Sequence, residues 1–144
     1  MSKTNIKKIT VAISGGFDPI HVGHIELIQE AAKLGDRLIV IVNEDIFLIK
    51  KKGYVFMPLA ERKTILESIK GVDEVVVAVD EDESVAKTIE LIKPDIFANG
   101  GDRTTANPKE NIACEGIGCK QVFRLGAKIQ SSSKLVRRAE EQNV

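Results

Sequence analysis

One short segment of the chain combines glycines, an acid and two histidines. Residues 15–24 read GGFDPIHVGH and follow a run of β-branched and apolar residues. Glycines let backbone N–H groups approach phosphate oxygens closely. His21 and His24 are three positions apart at a predicted helix start, so both rings can point the same way and donate to a phosphate. The segment therefore predicts a site for a ligand that carries phosphate.

Three further groups have side chains suited to binding anions. Lys50, Lys51 and Lys52 supply point charges for phosphates. Residues 100–103, with the sequence GGDR, follow another predicted strand. Residues 131–133 are three serines before a helical pattern, where hydroxyls and unpaired helix N–H groups together can receive an anion. These groups indicate the same class of ligand as the histidine segment.

Each group also has a purely structural interpretation. One histidine of the pair can cap a helix while the other is satisfied in the core. The lysines can form a solvated loop, and Asp102 can serve only in a turn. The serines can simply cap the last helix, a role compatible with phosphate binding because both use the same free donors. We favour the functional interpretation because the first three groups follow predicted strands and the serines begin the last helix, so that all four should meet at one edge of the sheet.

The chain alternates between strand and helix patterns. β-branched and apolar runs predict strands at residues 6–13, 37–43, 72–79, 95–98 and 120–125. Helical spacing predicts helices at 22–34, from Pro58 until Gly71, at 85–92, from Asn107 onward and at 131–140. Residues 46–57, which include the three lysines, are predicted to form a loop.

The alternation predicts an α/β fold. A chain of 144 residues has the length of one domain, so we expect a single Rossmann-like domain over residues 1–144. Its five-stranded parallel sheet carries helices on both faces. In such a sheet, ligands bind beyond the carboxyl ends of the strands, where the strand order reverses. The histidine segment, the lysines and residues 100–103 should therefore meet at one edge.

Composition and missing motifs exclude several classes of protein. Lys plus Arg and Asp plus Glu both number 21, so the net charge is zero, which argues against a dedicated nucleic-acid binder. The apolar runs are too short to span a membrane, and the polar N-terminus has no signal region behind it, which predicts a cytoplasmic protein. The dinucleotide and P-loop fingerprints are absent. No metal site formed by side chains is predicted.

Four motifs, in order, resemble one protein family. The segment that ends with residues Gly16 to His24 resembles the G-x-F-D-x-x-H-x-G-H signature of the cytidylyltransferase-like nucleotidyltransferases, the HxGH superfamily. The middle helix and third strand of the family resemble residues 58–75. Its fourth strand and the turn after it resemble residues 93–95 and 101–102, and its closing serine motif resembles residues 131–133. Within the family, the chain resembles glycerol-3-phosphate cytidylyltransferases and heptose-1-phosphate adenylyltransferases. Archaeal-type flavin adenylyltransferases are a third group that the chain resembles. Residues 100–103 are less similar to the corresponding turn of that group.

The resemblance implies an enzyme that transfers a nucleoside monophosphate from a nucleoside triphosphate to a small phosphate monoester, such as a polyol or sugar phosphate, and releases pyrophosphate. It implies catalytic roles for His21, His24, Lys50 and Arg62. It implies nucleotide contacts from Ser14, Gly15, Gly16, Phe17, Asp18, His24, Gly101, Asp102, Ser131, Ser132 and Ser133, and acceptor contacts from Lys50, Lys51 and Lys52.

The resemblance also implies partners. Mg²⁺ accompanies the nucleoside triphosphate, nucleic acid and membranes are not partners, and a homodimer is expected. CTP is favoured over ATP as the donor. One alternative is adenylyl transfer from ATP to a heptose-like sugar 1-phosphate, and a second is a protein that binds a nucleotide without turning it over. The joint presence of two histidines, the lysine cluster and the serines favours an enzyme.

Overall fold

A computed structural model describes residues 8–100 and 107–125 of the chain. The strands within these residues are β1 (Thr10–Gly15), β2 (Arg37–Val42), β3 (Glu74–Val77), β4 (Ile96–Gly100) and β5 (Lys120–Leu125). The helices are α1 (Val22–Ala32), α2 (Asp45–Lys52), α3 (Leu59–Glu67), α4 (Ala86–Ile92) and α5 (Pro108–Ile117). The predicted helix at 131–140 lies outside the described residues.

The strands form one parallel sheet in the order β3-β2-β1-β4-β5. The first half of the chain adds β2 and β3 on one side of β1, and the second half adds β4 and β5 on the other. The strand order thus reverses between β1 and β4, where a parallel sheet leaves a crevice for a ligand. The prediction of an α/β fold with a five-stranded parallel sheet is confirmed.

Apolar side chains cover both faces of the sheet. One core cluster joins β1 and β2 residues to α1 and α3, through Ile28, Ala31 and Leu66 among others. A second cluster joins the opposite face to α4 and α5, through Ile89 and Ala113. Burial on both faces explains why the strand sequences are nearly continuous runs of Val and Ile, with little alternation. The predicted two layers of helices are therefore present.

The predicted loop at residues 46–57 is wrong in its first half, which is helix α2. Asp45 in the first turn and the lysines in the last turn complement the helix dipole. Gly53 ends the helix in the left-handed conformation, with φ 87°. Only Leu48 of this helix is buried, so the apolar periodicity was too weak to reveal it. The lysines therefore lie on a helix at defined positions.

Strand boundaries also differ from the prediction at the ligand edge. β1 continues to Gly15, which pairs with Val42, and β4 continues to Gly100, which pairs with Leu125. Glycine in a sequence usually indicates a turn. Its backbone can nevertheless continue the hydrogen bonds of a strand when a neighbouring strand lies beside it. The loop after β1 consequently starts beside the end of β2.

At the opposite, amino edge of the sheet, where the strands begin, the same pair of hydrogen bonds occurs three times. Asp36, Asp73 and Asp95 each come directly before a strand, and their carboxylates accept from the backbone N–H of Ile9, Leu38 and Thr10 at 2.8, 2.8 and 2.9 Å. Each aspartate also donates its own N–H to the carbonyl of the same residue. These reciprocal pairs satisfy strand-end donors that the ladder leaves without a partner.

Candidate functional site

The two histidines are fixed at the start of α1 by a reciprocal cap. His21 is the N-cap residue, and its Nδ1 accepts from the backbone N–H of Gly23 at 3.1 Å. Nδ1 of His24 accepts from the backbone N–H of His21 at 3.2 Å. A neutral imidazole that accepts at Nδ1 carries its proton on Nε2. Both rings therefore present Nε2 as the donor.

The rings lie against each other and against Phe17. The centroids of the His21 and His24 rings are 3.9 Å apart with 27° between the planes, and Phe17 meets His24 edge-on at 4.9 Å. Burial, reinforced by the neighbouring His21, lowers the pKa of His24 from 6.5 to about 4. His24 is thus neutral at pH 7 and acts as a hydrogen-bond donor until an anion raises its pKa.

The loop between β1 and α1 runs close to α2. A Cβ atom on Gly16 would lie 2.7 Å from Cδ2 of Leu48, and one on Gly15 would lie 3.2 Å from the Phe17 ring. Phe17 itself has φ 53°, in the left-handed region that side chains rarely adopt. A side chain at position 16 would therefore require the buried Leu48 side chain to shift.

Asp18 connects this loop to the segment that follows α2. Asp18 is buried, with 2% of its surface exposed. Its carboxylate accepts from the backbone N–H of Phe56 at 2.7 Å and from that of Met57. Lys52 donates from Nζ to the Asp18 carbonyl at 2.9 Å and to Oδ2 at 3.3 Å. One buried carboxylate thereby binds three donors from residues 52–57.

Arg62, on α3, is the most deeply buried charge at this edge, with 0% of its surface exposed. It donates to the carbonyls of Met57, Gly16 and Asn43 at 2.8, 2.9 and 2.7 Å. It also donates to Oδ1 of Asp45 at 2.6 Å. The guanidinium thus joins the ends of β1 and β2 to the starts of α2 and α3. Its charge is compensated by protein oxygens, and its implied contact with ligands stays a prediction.

The three lysines have different surroundings. Lys52 is mostly buried, with 15% of its side chain exposed, and its Nζ lies 4.9 Å from the centroid of the Tyr54 ring. Lys50 and Lys51 are exposed and line a groove of about 280 Å³ between α2 and residues 79–83. The structure thus brings Lys52 to the histidine loop, whereas the catalytic role given to Lys50 stays a prediction.

Sequence reasoning missed two residues of this network, Asn43 and Asp45. Asn43 is 6% exposed, its backbone N–H donates to Gly15 at 3.1 Å, and its carbonyl accepts from Arg62. Asp45 accepts from Arg62 and from the backbone N–H of Leu59 at 3.0 Å. Asn43 directly follows β2 and Asp45 begins the next helix, so the rule that ligand-site residues lie just beyond strands would have found them.

Comparison with known proteins places this site in a family. The family model described as "Cytidylyltransferase-like" matches residues 12–139, most of the chain. The chain belongs to the cytidylyltransferase-like family. The match includes the capped histidines, the Asp18 and Arg62 networks and the strand-order reversal. The predictions of this family and of a nucleotidyltransferase are therefore confirmed.

Several members of the cytidylyltransferase-like family resemble this chain over much of their length. FAD synthase from Ferroglobus placidus is 38% identical over 134 residues, which are 89% of this chain and 86% of that protein. FAD synthase from Thermococcus sibiricus is 34% identical over 149 residues, which cover 96% and 97%. Bifunctional protein HldE from Nitrosococcus oceani is 40% identical over 121 residues, which are 83% of this chain but 24% of that protein.

A solved structure shares the fold. The crystal structure of the lipopolysaccharide core biosynthesis protein from Thermoplasma volcanium superposes with a TM-score of 0.72 at 30% identity. The match covers 83% of this chain and 98% of that one. The Rossmann-like fold is thus shared with a protein of similar size.

The remaining predicted nucleotide contacts of this family member fall into two groups. Ser14 and Gly15 lie at the end of β1, where they pair with Ile41 and Val42 of β2. Gly101, Asp102, Ser131, Ser132 and Ser133 lie outside the described residues, so their roles stay predictions.

The described residues contain neither a metal-binding cluster nor a helix that could cross a membrane. Across residues 8–100 and 107–125, no three His, Cys, Asp or Glu side chains come together as a metal-binding group. In the same ranges, no helix has both the length and the apolar character that crossing a membrane requires.

Proposed function

We propose that this protein transfers the adenylyl group of ATP to FMN, forming FAD and pyrophosphate. The observation that carries the proposal is the similarity, over most of both chains, to proteins named FAD synthase. FMN is a phosphate monoester, so it belongs to the acceptor class that the motifs imply. The earlier preference for CTP rests on resemblance alone, and these relatives favour ATP.

The chemistry is an in-line displacement at the α-phosphorus of ATP. A phosphate oxygen of FMN forms the new P–O bond, while the bond from the α-phosphorus to the bridging oxygen breaks and pyrophosphate leaves with the electron pair. No covalent bond to the protein is required, so catalysis consists of positioning and of stabilising charge. His21 and His24, fixed by their cap and donating from Nε2, are suited to hold the phosphate oxygens on which charge develops.

The other predicted contacts divide between donor and acceptor. Lys52 is the lysine best placed to meet the phosphate of FMN, because Asp18 holds its ammonium beside the histidine loop. ATP would enter as its Mg²⁺ complex, since Mg²⁺ prefers substrate phosphates to an all-protein cage. Gly101, Asp102 and the serines at 131–133 are proposed to line the nucleotide, with the serine hydroxyls on its β- and γ-phosphates.

A second acceptor class has specific support. HldE from Nitrosococcus oceani and the lipopolysaccharide core biosynthesis protein from Thermoplasma volcanium both resemble the chain. These similarities favour a sugar 1-phosphate as the alternative acceptor, with ATP as the donor. A protein that binds the nucleotide without turnover is the alternative from another class. The homodimer and the cytoplasmic location stay predictions.

The test is a substrate matrix read by pyrophosphate release and by the mass of the product. ATP, CTP, GTP and UTP form one axis; FMN, glycerol 3-phosphate and sugar 1-phosphates form the other, all with Mg²⁺. We expect a signal for ATP with FMN and a product with the mass of FAD. A signal confined to a sugar phosphate or to CTP would reject FMN adenylylation. Nucleotide binding without pyrophosphate in any combination would favour the non-catalytic alternative. His24→Ala serves as the low-activity control.

A further inference from the structure

The contacts of Asp18 do not match the role that the motif implies for it. As a nucleotide-lining residue it would direct its carboxylate toward the ligand. In the structure, Oδ2 accepts from Phe56 N–H at 2.7 Å and from Lys52 Nζ at 3.3 Å, while Oδ1 accepts from Met57 N–H. A bare carboxylate beside a triphosphate would repel it, and these donors compensate the charge.

The partners of Asp18 all come from a distant part of the chain. They lie 34 to 39 positions away, at the end of α2 and in the segment before α3. Residues 53–58 form neither helix nor strand, and Gly53, Tyr54 and Phe56 are exposed. A segment of this kind is held by its hydrogen bonds and not by burial. Asp18 therefore fixes the segment against the histidine loop.

The same contacts restrict the ammonium of Lys52. An ammonium has three N–H donors, and the carbonyl and carboxylate of Asp18 lie within hydrogen-bonding distance of it. The ring of Tyr54 contacts the charge from another side, 4.9 Å from Nζ. Lys50 and Lys51 are exposed on the preceding turn. A charge held in place before the substrate arrives stabilises it without the cost of ordering a flexible side chain.

We infer that Asp18 is a positioning residue, which places Lys52 and residues 53–57 to receive the phosphate of the acceptor. The inference rests on the proposed function for the identity of that acceptor, FMN. Asp18 then acts through Lys52 and touches no reacting atom. Its loss should weaken acceptor binding while the chemical step at the histidines is largely retained.

The test is a double-mutant cycle with FMN as the varied substrate and ATP saturating. The variants are Asp18→Asn, Lys52→Met and the combination of both. We expect each single variant to raise the KM for FMN roughly tenfold, as loss of one charged hydrogen bond does, with a smaller change in kcat. Because the carboxylate of Asp18 is inferred to act through the ammonium of Lys52, the combined variant should have the KM of Lys52→Met alone. Losses that multiply would overturn the positioning role.

The matched control is Asp73→Asn at the opposite edge of the sheet. Asp73 also accepts a backbone N–H, from Leu38 at 2.8 Å, so the substitution removes the same carboxylate charge from a bond of the same kind far from the site. The KM for FMN should be unchanged in this variant. If Asp18→Asn does not fold, Asp18→Ser replaces it and should also raise the KM. An unchanged KM in the variant used would contradict the inference.

Amide hydrogen exchange separates this inference from the proposed function, because it requires no turnover. In Asp18→Asn, or in Asp18→Ser, the amides of Phe56 and Met57 should exchange faster, while the amide of Leu38 should be unaffected. If the unmodified protein makes no FAD but the amides exchange faster in the variant, FMN is rejected as the acceptor and the positioning role of Asp18 is retained. Unchanged exchange in the variant would reject the positioning role of Asp18, whatever the activity.

Discussion

The two edges of the sheet use charged residues in different ways. At the amino edge, Asp36, Asp73 and Asp95 each form a reciprocal pair with the start of a neighbouring strand. At the carboxyl edge, Asp18 and Arg62 are almost completely buried, and their partners come from several elements. The first arrangement joins only the ends of two neighbouring strands and is repeated at three crossovers, whereas the second joins several loops and helices through one side chain.

The comparison shows that this fold buries charged side chains most deeply at the carboxyl edge of the sheet. An aspartate that pairs with one strand end at the surface loses little hydration and stabilises the ladder modestly. A fully buried arginine loses its hydration and is stable only when its donors are matched by oxygens. That cost occurs at the edge where the loops must keep a fixed geometry. We interpret the amino edge as structural and the carboxyl edge as organised for catalysis.

The largest expected effect is at the histidines of the carboxyl edge. His24→Ala or His21→Ala removes a preorganised donor and should lower kcat by roughly 10²–10³, more than it lowers folding stability. Turnover with the preferred substrates, measured beside thermal unfolding, tests this prediction. Unchanged turnover in either variant would remove that residue from the proposed mechanism.

The next effect concerns the buried charge of Arg62. Arg62→Met should lower the free energy of unfolding by about 3 kcal/mol, because three carbonyls and Asp45 lose their donor. Denaturant unfolding measures the change. Lys63→Met is the control, since Lys63 is partly exposed on the same helix and pairs with Glu67 at 3.9 Å, so it should have little effect. Equal losses in the two variants would contradict the network.

A smaller effect is expected at the amino edge. Asp73→Ala removes the acceptor for the Leu38 N–H and should lower the free energy of unfolding by about 1 kcal/mol. Because the residue lies across the sheet from the histidines, kcat and KM should stay unchanged. A loss of turnover at a temperature where the variant is folded would show that the two edges are not independent.

The last effect, which is confined to acidic conditions, is a change in how stability depends on pH. His24 has a folded-state pKa of about 4, below its ordinary value of 6.5, so between these values the unfolded chain binds the extra proton. The stabilisation from neutral His24 is therefore complete above pH 6.5 and is lost as the pH falls toward 4. Unfolding curves of the unmodified protein and of His24→Gln should diverge within that window. Parallel curves would show that the ring titrates normally.

Much of the fold was predictable because its signals are local. The runs of Val and Ile, the glycine stops and Pro58 indicated the alternation of strands and helices. Helix α2 was missed because only Leu48 is buried, although Asp45, the lysines and Gly53 follow the charge and cap rules for a helix. The end of β1 was placed too early because a glycine can continue a strand only when a partner strand is present.

The candidate site was predictable in kind and less so in detail. The spacing of His21 and His24 was sufficient, because the cap that orients them lies within residues 21–24. The choice among the three lysines was not, because it depends on Asp18, which lies 34 positions from Lys52. Asp18 itself read as a ligand contact because a carboxylate in a motif does not reveal its partner.

The sequence by itself determined the class of reaction and the elements that support it. Glycines, histidine spacing and the strand-helix alternation are properties of short segments, and short-range sterics and hydrogen bonds decide them. Only the tertiary structure decided where the charges act. Arg62 reaches Gly16 across 46 positions, and this contact exists because β1 and β2 are neighbours in the sheet. Packing of distant segments brings such charges together, and burial then makes each partner necessary.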